Sequence, residues 1–332
     1  MLNKENHIAV LGGGSWGTAL VKLLSENTKN LHWWMRSAKT INHIKEYGKN
    51  PDYLPYAELD KDIDVSDNIN EVIRKSDVVV IAIPSAFLKS SVIRVKPEVL
   101  QKKKFFSAVK GIIPGQISTV TELLNKYFDI PLDHLGVISG PCHSEEVAME
   151  KLSFLTIGTY NKELAEFMKT MLSSWFMKIT LSDDVRGIEY ASILKNVVAI
   201  ASGISLGLGY GDNFQSVLIT NAVREMKTFL KTMDCNGREI EYSVYLGDVM
   251  VTAYSKFSRN RMLGTMLGKG YTLKASLTEM KMVAEGYYAV DSLMKIANAK
   301  NLHLPVMEAV HNIIYKGNSA EEEFVKLSDH LS

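Results

Sequence analysis

Short, almost purely apolar runs alternate with amphipathic stretches through the first half of the chain. The segments HIAVLG (7–12), NLHWWM (30–35), DVVVIAIP (77–84), KFFSAVKG (104–111) and HLGVISGP (134–141) are short, mostly apolar runs bounded by turn residues. That pattern predicts strands buried on both faces, because a strand with one wet face alternates. Between them, GTALVKLLSEN (17–27) and ISTVTELLNKYF (117–128) repeat their apolar positions at helical spacing. Strands alternating with helices predict a parallel sheet covered on both faces. FLTIGTY (154–160) and KITLSD (178–183) are expected to extend that sheet and to make it mixed.

The pattern changes near Asp184–Gly187. Strand-like runs stop, and long helix-compatible segments take over at 188–205, 214–234 and 278–300. The expected fold class is therefore α/β, with an N-terminal Rossmann-like doubly wound sheet (1–186) followed by an all-helical C-terminal domain (187–332). A chain of 332 residues suits two cores better than one.

Composition narrows the function classes. Formal net charge is +1 and no basic block stands out, so neither a nucleic-acid nor a membrane-surface partner is expected. Asn196–Gly211 is uncharged but short and glycine-rich for a membrane span, so no membrane insertion is expected. The only two cysteines, Cys142 and Cys235, form no CxxC pair. The expectation is a reduced protein of the cytoplasm, without a disulfide framework. No His, Cys or Asp grouping has zinc spacing, and no metal is expected.

Gly12-x-Gly14-x-x-Gly17 follows the first strand directly and opens the first helix. In a dinucleotide fold these glycines allow the tight turn, the approach of backbone to a diphosphate, and close helix–strand packing. The helix's N–H groups and dipole favour the anion. Glycine-rich turns also arise for conformational reasons alone. At the end of the second strand, where NAD-preferring folds place an acid, this chain has Arg36. Its guanidinium suits the 2′-phosphate of NADP(H), or adenine stacking, or is simply a solvated strand-end arginine.

Three further stretches carry candidate chemistry. Lys195 is the only basic residue between Arg186 and Arg224 and sits in an apolar run. It is either a general acid/base with a depressed pKa or a lysine snorkelling off its helix. Asp248 follows a glycine inside another apolar run and is either a helix cap or a buried carboxylate with a partner. Ser258-Arg259-Asn260-Arg261 suits a phosphate, and equally a solvated basic loop. SGPCHSEEV (139–147) closes a strand with a turn, where parallel sheets build ligand sites. Cys142 and His143 are adjacent in sequence, which disfavours a nucleophile–base pair. Lys110 ends another strand, as a cation at the same rim or as a surface lysine.

Taken together, GGGSWGTAL, SGPCHSEEV, LKNVVAIASGISLGLGYGDN, LGDVMVTAYSKFSRNRMLG and AEGYYAV resemble, in order, the bacterial-type NAD(P)-dependent glycerol-3-phosphate dehydrogenases. The resemblance spans roughly residues 7–312. It implies reversible reduction of dihydroxyacetone phosphate to sn-glycerol 3-phosphate, the backbone of glycerophospholipids, with NADP(H) or NAD(H). It implies Lys195 as proton donor and acceptor. Lys110, Gly140, Cys142, Asp248, Ser258, Arg259 and Asn260 would join Lys195 around the substrate. Ser15, Trp16, Arg36, Lys110, Ser144, Arg259, Val283 and Glu285 would join Gly12, Gly14 and Gly17 around the dinucleotide. By the same analogy the long apolar helices offer surface for a homodimer.

The chain departs from the family pattern in three places. Cys142-His143 stands where Ser or Thr followed by Phe is usual, Ser144 replaces Ala, and TNAV (220–223) lacks a usual arginine. Two rival classes share the layout: a β-hydroxyacid or ketopantoate-type reductase, and a nucleotide-binding regulatory protein without catalysis. The Ser-Arg-Asn cluster and the Lys-Asn-Val-Val run fit the first less well. A sensor has no use for Lys195, Asp248 and Arg259 together.

Overall fold

The computed structural model describes residues 2–92, 94–115, 117–235, 239–280 and 282–332. It contains one sheet of eight strands: β1 (Ile8–Leu11), β2 (Leu31–Trp34), β3 (Asp64–Ser66), β4 (Val78–Ile81), β5 (Lys104–Ser107), β6 (Leu135–Ser139), β7 (Ser153–Thr159) and β8 (Met177–Ser182). Their order is β3-β2-β1-β4-β5-β6-β7-β8. All neighbours run parallel except β6 and β7, so the sheet is mixed as expected. Every residue of β1, β2, β4 and β6 is buried. Helices on both faces give central strands no wet side, hence the unbroken apolar runs.

The sheet grows outward in both directions from β1, whose neighbours are β2 and β4. Such a reversal opens a crevice beyond the carboxyl ends of the strands. The glycine turn lies at that edge.

Two elements differ from the sequence reading. β3 was not anticipated: its three residues include Asp64 and Ser66, so it leaves no apolar run. Pairing with β2 holds it, His32 opposite Asp64. The helix expected over 278–300 is two helices, Leu273–Glu279 and Glu285–Ala299. Met280 and Ala284 are extended, at φ/ψ of −78°/115° and −91°/101°, which ends one helix and delays the next. Lys281 lies outside the described residues.

The chain forms two compact units. One comprises Met1–Val109 and Val120–Val185; the other comprises Lys110–Thr119 and Arg186–Ser332. The division is not contiguous, because Lys110–Thr119, inside the segment expected to be purely sheet domain, packs with the helical unit. The Lys110 carbonyl accepts a hydrogen bond from Asn196 Nδ2 at 2.6 Å, one tie that keeps it there.

At the centre of the helical unit is helix Val185–Gly207. It is long and apolar enough to cross a membrane, but 89% of its most apolar window is buried within the fold. Such a helix is a core helix, apolar all round. Helix Arg259–Gly268 packs against it through glycines on both sides. A Cβ at Gly264 would lie 2.0 Å from the Ile200 carbonyl oxygen, and one at Gly203 2.1 Å from that of Arg261. Backbones this close leave no room for a methyl group. Gly264→Ala should therefore cost about 2 kcal/mol or more of stability by overpacking. Thermal denaturation checks this, and an unchanged melting temperature would contradict the close approach.

Candidate active site

In the sheet unit, β1 runs into the turn Gly12–Gly14 and then helix Ser15–Ser25. Gly12 has φ +129°, and a Cβ there would stand 2.6 Å from the Ala82 carbonyl oxygen. A Cβ on Gly17 would fall 2.0 Å from the Gly12 oxygen. These two glycines therefore let the turn and helix seat against β1 and β4. Gly14 differs, since a Cβ there would meet nothing within 4 Å. The helix has no side-chain cap and no acidic residue in its first turn. Open space over an uncapped helix start, with no carboxylate in that turn, fits an anionic diphosphate.

Ser15 is buried and Trp16 packs against the core of the sheet unit. Arg36 is exposed, its guanidinium 5.2 Å from the centroid of the Phe87 ring. The planar cation thus lies over an aromatic face while remaining exposed. Phe87 escaped the sequence reading, although it follows the apolar β4 run by only a few residues.

Gly140 has φ +139° and would place a Cβ 2.9 Å from the Phe154 carbonyl oxygen, so the turn after β6 requires glycine. Cys142 is buried in the apolar core of the sheet unit. Ser144 opens helix Ser144–Ala148, and its Oγ donates to Glu145 Oε2 at 3.0 Å.

In the helical unit, Lys195 is 3% and Asp248 1% exposed, and Lys195 Nζ donates to Asp248 Oδ1. Lys195 is no snorkelling side chain. Asp248 is the buried carboxylate of the two alternatives. It begins helix Asp248–Tyr254 directly after a π-helical turn, Ser243–Gly247. Thr252 Oγ1 donates to the Asp248 carbonyl oxygen at 2.6 Å and steadies that end. Burial pushes the Lys195 ammonium down to about 7. The charge of Asp248 opposes that shift, and the nearby Lys110 ammonium reinforces it. A lysine that titrates near neutrality can both give and take a proton.

Asn196 links this pair to the next cluster. Its Oδ1 accepts from Asn260 Nδ2 at 2.9 Å, while its own amide holds the Lys110 carbonyl. Asn260 Oδ1 in turn accepts the Gly286 N–H at 2.9 Å, beside Glu285 at the start of helix Glu285–Ala299. Among the described residues, Asn196 is the one acceptor of the two Asn260 amide hydrogens. Ser258 Oγ caps helix Arg259–Gly268, accepting the Arg261 N–H at 3.3 Å. Arg259 lies against Met282, Nη1 to Sδ 3.2 Å, next to Val283. The helical unit thus holds two hydrogen-bonded sets, Lys195–Asp248 and Lys110–Asn196–Asn260–Gly286, which meet at the neighbouring residues Lys195 and Asn196, with Ser258 and Arg259 on the same helix start as Asn260. Asn196, merely the residue after Lys195 in the sequence reading, is the hub.

A doubly wound sheet with an open, uncapped glycine turn, followed by a helical unit with a buried lysine–aspartate pair, is the architecture of a dinucleotide-dependent oxidoreductase. The particular family follows from comparison. Residues 7–165 match the N-terminal, and residues 184–325 the C-terminal, model of NAD-dependent glycerol-3-phosphate dehydrogenase. A protein of Staphylococcus carnosus named glycerol-3-phosphate dehydrogenase [NAD(P)+] is 31% identical over 93% of this chain and 93% of its own length. One of the same name in Bacillus subtilis is 32% identical over 95% and 91%. The crystal structure of glycerol-3-phosphate dehydrogenase from Coxiella burnetii superimposes with a TM-score of 0.91 at 26% identity, covering 98% of this chain and 99% of that one. The chain belongs to the NAD-dependent glycerol-3-phosphate dehydrogenase family, whose members use NAD(P) as cofactor.

The depressed Lys195 pKa has a sign that can be checked. Between about pH 7 and the ordinary lysine value of 10.5, the unfolded chain binds the proton that the folded chain has released. Stability through this group therefore rises with pH across that window, by at most about 1.4 kcal/mol per pH unit. Denaturant unfolding of the parent and Lys195→Met from pH 7 to 9 should show the steeper rise in the parent. Equal slopes would mean that Lys195 is not buried as a titrating group.

Proposed function

We propose that this protein interconverts dihydroxyacetone phosphate and sn-glycerol 3-phosphate, with reduction the physiological direction, in the cytoplasm, as a source of glycerophospholipid backbone. The observation that carries the reading is the buried Lys195–Asp248 pair, joined through Asn196 to the Ser258–Asn260 helix start. Family membership supplies the substrate class: a small triose with one ketone and one phosphate.

Bound NAD(P)H would supply a hydride to the substrate's C2. As charge then grows on the C2 oxygen, Lys195 stabilises it and delivers its Nζ proton. Asp248 keeps the lysine in place and offers its carboxylate to a substrate hydroxyl. Its charge also keeps Lys195 protonated to higher pH than burial alone would allow. Arg259, Ser258 and the remaining Asn260 N–H meet the phosphate, and Lys110 adds a second positive charge. Multiple donors on a phosphate fix the reacting carbon, turning remote binding energy into orientation. Gly140 and Cys142 would border the substrate through the turn they shape. Gly12, Gly14, Gly17, Ser15, Trp16 and Ser144 would hold the dinucleotide from the sheet unit. Arg36 would meet its adenosine end, and Val283 and Glu285 complete the residues that the family resemblance assigns to the cofactor. Residues 1–186 and 187–332 remain the proposed domains, with Lys110–Thr119 as an excursion, and a homodimer through the helical half is part of the reading.

Adding dihydroxyacetone phosphate to protein and NADPH should consume NADPH, followed by absorbance, and the same assay with NADH ranks the two cofactors. Lys195→Ala should bind NADPH as the parent does, yet turn over at least about a hundredfold more slowly, in line with loss of general acid catalysis. No NADPH consumption by the parent, or near-parent turnover by Lys195→Ala, would overturn the assignment.

A further inference from the structure

The glycine turn has three carbonyl oxygens in succession, and each is engaged by a buried side chain. Trp33 Nε1 donates to the Gly12 oxygen at 2.8 Å. Asn50 Nδ2 donates to the Gly13 oxygen at 3.1 Å and to Thr18 Oγ1 at 2.8 Å. Thr18 Oγ1 passes its own hydrogen to the Gly14 oxygen at 2.9 Å, which also accepts the Thr18 backbone N–H at 2.9 Å. Trp33, Asn50 and Thr18 are each fully buried, at 0% exposure. Asn50 Oδ1 accepts the N–H groups of Asp52 and Tyr53, both at 3.2 Å, which fixes the amide's orientation and aims its hydrogens at the turn.

A peptide unit that turns its oxygen inward turns its N–H the other way. Three successive carbonyls drawn toward Trp33, Asn50 and Thr18 therefore leave the opposite side of the turn free of carbonyl oxygen. For a diphosphate this decides the sign of the local field, because a single carbonyl swung outward would set a partial negative charge against the anion. Thr18 has a further constraint, since it accepts from Asn50 and so can donate only to Gly14. The direction of that chain of hydrogen bonds is set by Asn50.

We infer that Asn50, acting with Thr18 and Trp33, is a positioning residue for dinucleotide binding, holding the Gly12–Gly14 carbonyls inward so that the turn presents an anion-compatible face. The inference rests on the reading of this turn as the dinucleotide site, and not on the identity of the carbonyl substrate.

The test is NADPH binding followed by fluorescence titration, with the melting temperature of each ligand-free protein measured alongside. Thr18→Val keeps the shape but loses the hydroxyl, so the Asn50 amide loses one acceptor and the Gly14 oxygen keeps only the Thr18 backbone N–H, whereas Thr18→Ser keeps both side-chain hydrogen bonds. Asn50→Asp keeps the acceptor for Asp52 and Tyr53 but sets a carboxylate oxygen against the Gly13 oxygen. The dissociation constant should rise about tenfold in Thr18→Val, the scale of one buried hydrogen bond, and more in Asn50→Asp. In Thr18→Ser it should stay within about twofold of the parent. Equal affinity in the parent, Thr18→Val and Asn50→Asp, with only melting temperatures lowered, would reduce these residues to a structural role and overturn the inference. So would equal losses in Thr18→Val and Thr18→Ser. If Asn50→Asp fails to fold, the two Thr18 variants decide. A parent that binds neither NADPH nor NADH would instead bring down the dinucleotide reading, and this inference with it.

Discussion

A lysine and an aspartate buried together in an apolar helical unit form the constraint around which that unit is built. Taking two charges out of water is costly, and removing either partner would leave the other uncompensated. A core helix that is apolar all round gives Lys195 no route to solvent, so Asp248 has to be delivered to it from 53 residues away. The π-helical turn before Asp248 and the Thr252 hydroxyl, bonded to the Asp248 backbone carbonyl, hold that helix start. The glycine contacts between helices Val185–Gly207 and Arg259–Gly268 bring Ser258–Asn260 onto the same core helix. In the proposed mechanism the burial that burdens stability also serves Lys195, because it lowers the lysine into the range where a proton can be exchanged.

The sheet unit meets a complementary demand. The first turn of helix Ser15–Ser25 has neither a side-chain cap nor an acidic residue, so in the proposed reading its backbone N–H groups face the diphosphate. Backbone recognition works only if the peptide planes are turned correctly, and the three glycines lack side chains to hold themselves. Neighbouring buried donors hold their carbonyls instead. The two units thus solve one problem in opposite ways: charged side chains desolvated in the helical unit, and uncharged backbone dipoles oriented in the sheet unit.

What was legible in the sequence follows from range. The glycine turn, each buried strand and each long helix of the second half are local patterns, readable from neighbouring residues alone. Lys195 stood out because a cation in an apolar run breaks the pattern, but its environment depended on Asp248, Lys110 and Asn196 meeting in space. β3 was missed because its polar residues are stabilised by β2 rather than by an apolar face. The break before Glu285 was missed because helical periodicity continues through it while two residues adopt extended backbone. Trp33 and Asn50 read as a strand tryptophan and a loop asparagine. Only the fold brings their donors to the carbonyls of Gly12 and Gly13.

The most direct test of the account is the pH dependence of kcat/KM for NADPH-dependent reduction of dihydroxyacetone phosphate, in the parent and in Asp248→Asn. If Lys195 is the proton donor, activity falls as pH rises through about 7. The limb should move to lower pH in Asp248→Asn, where the charge that keeps the lysine protonated is gone. A parent profile that is flat from pH 6 to 9, or a limb that Asp248→Asn leaves in place, would contradict the account.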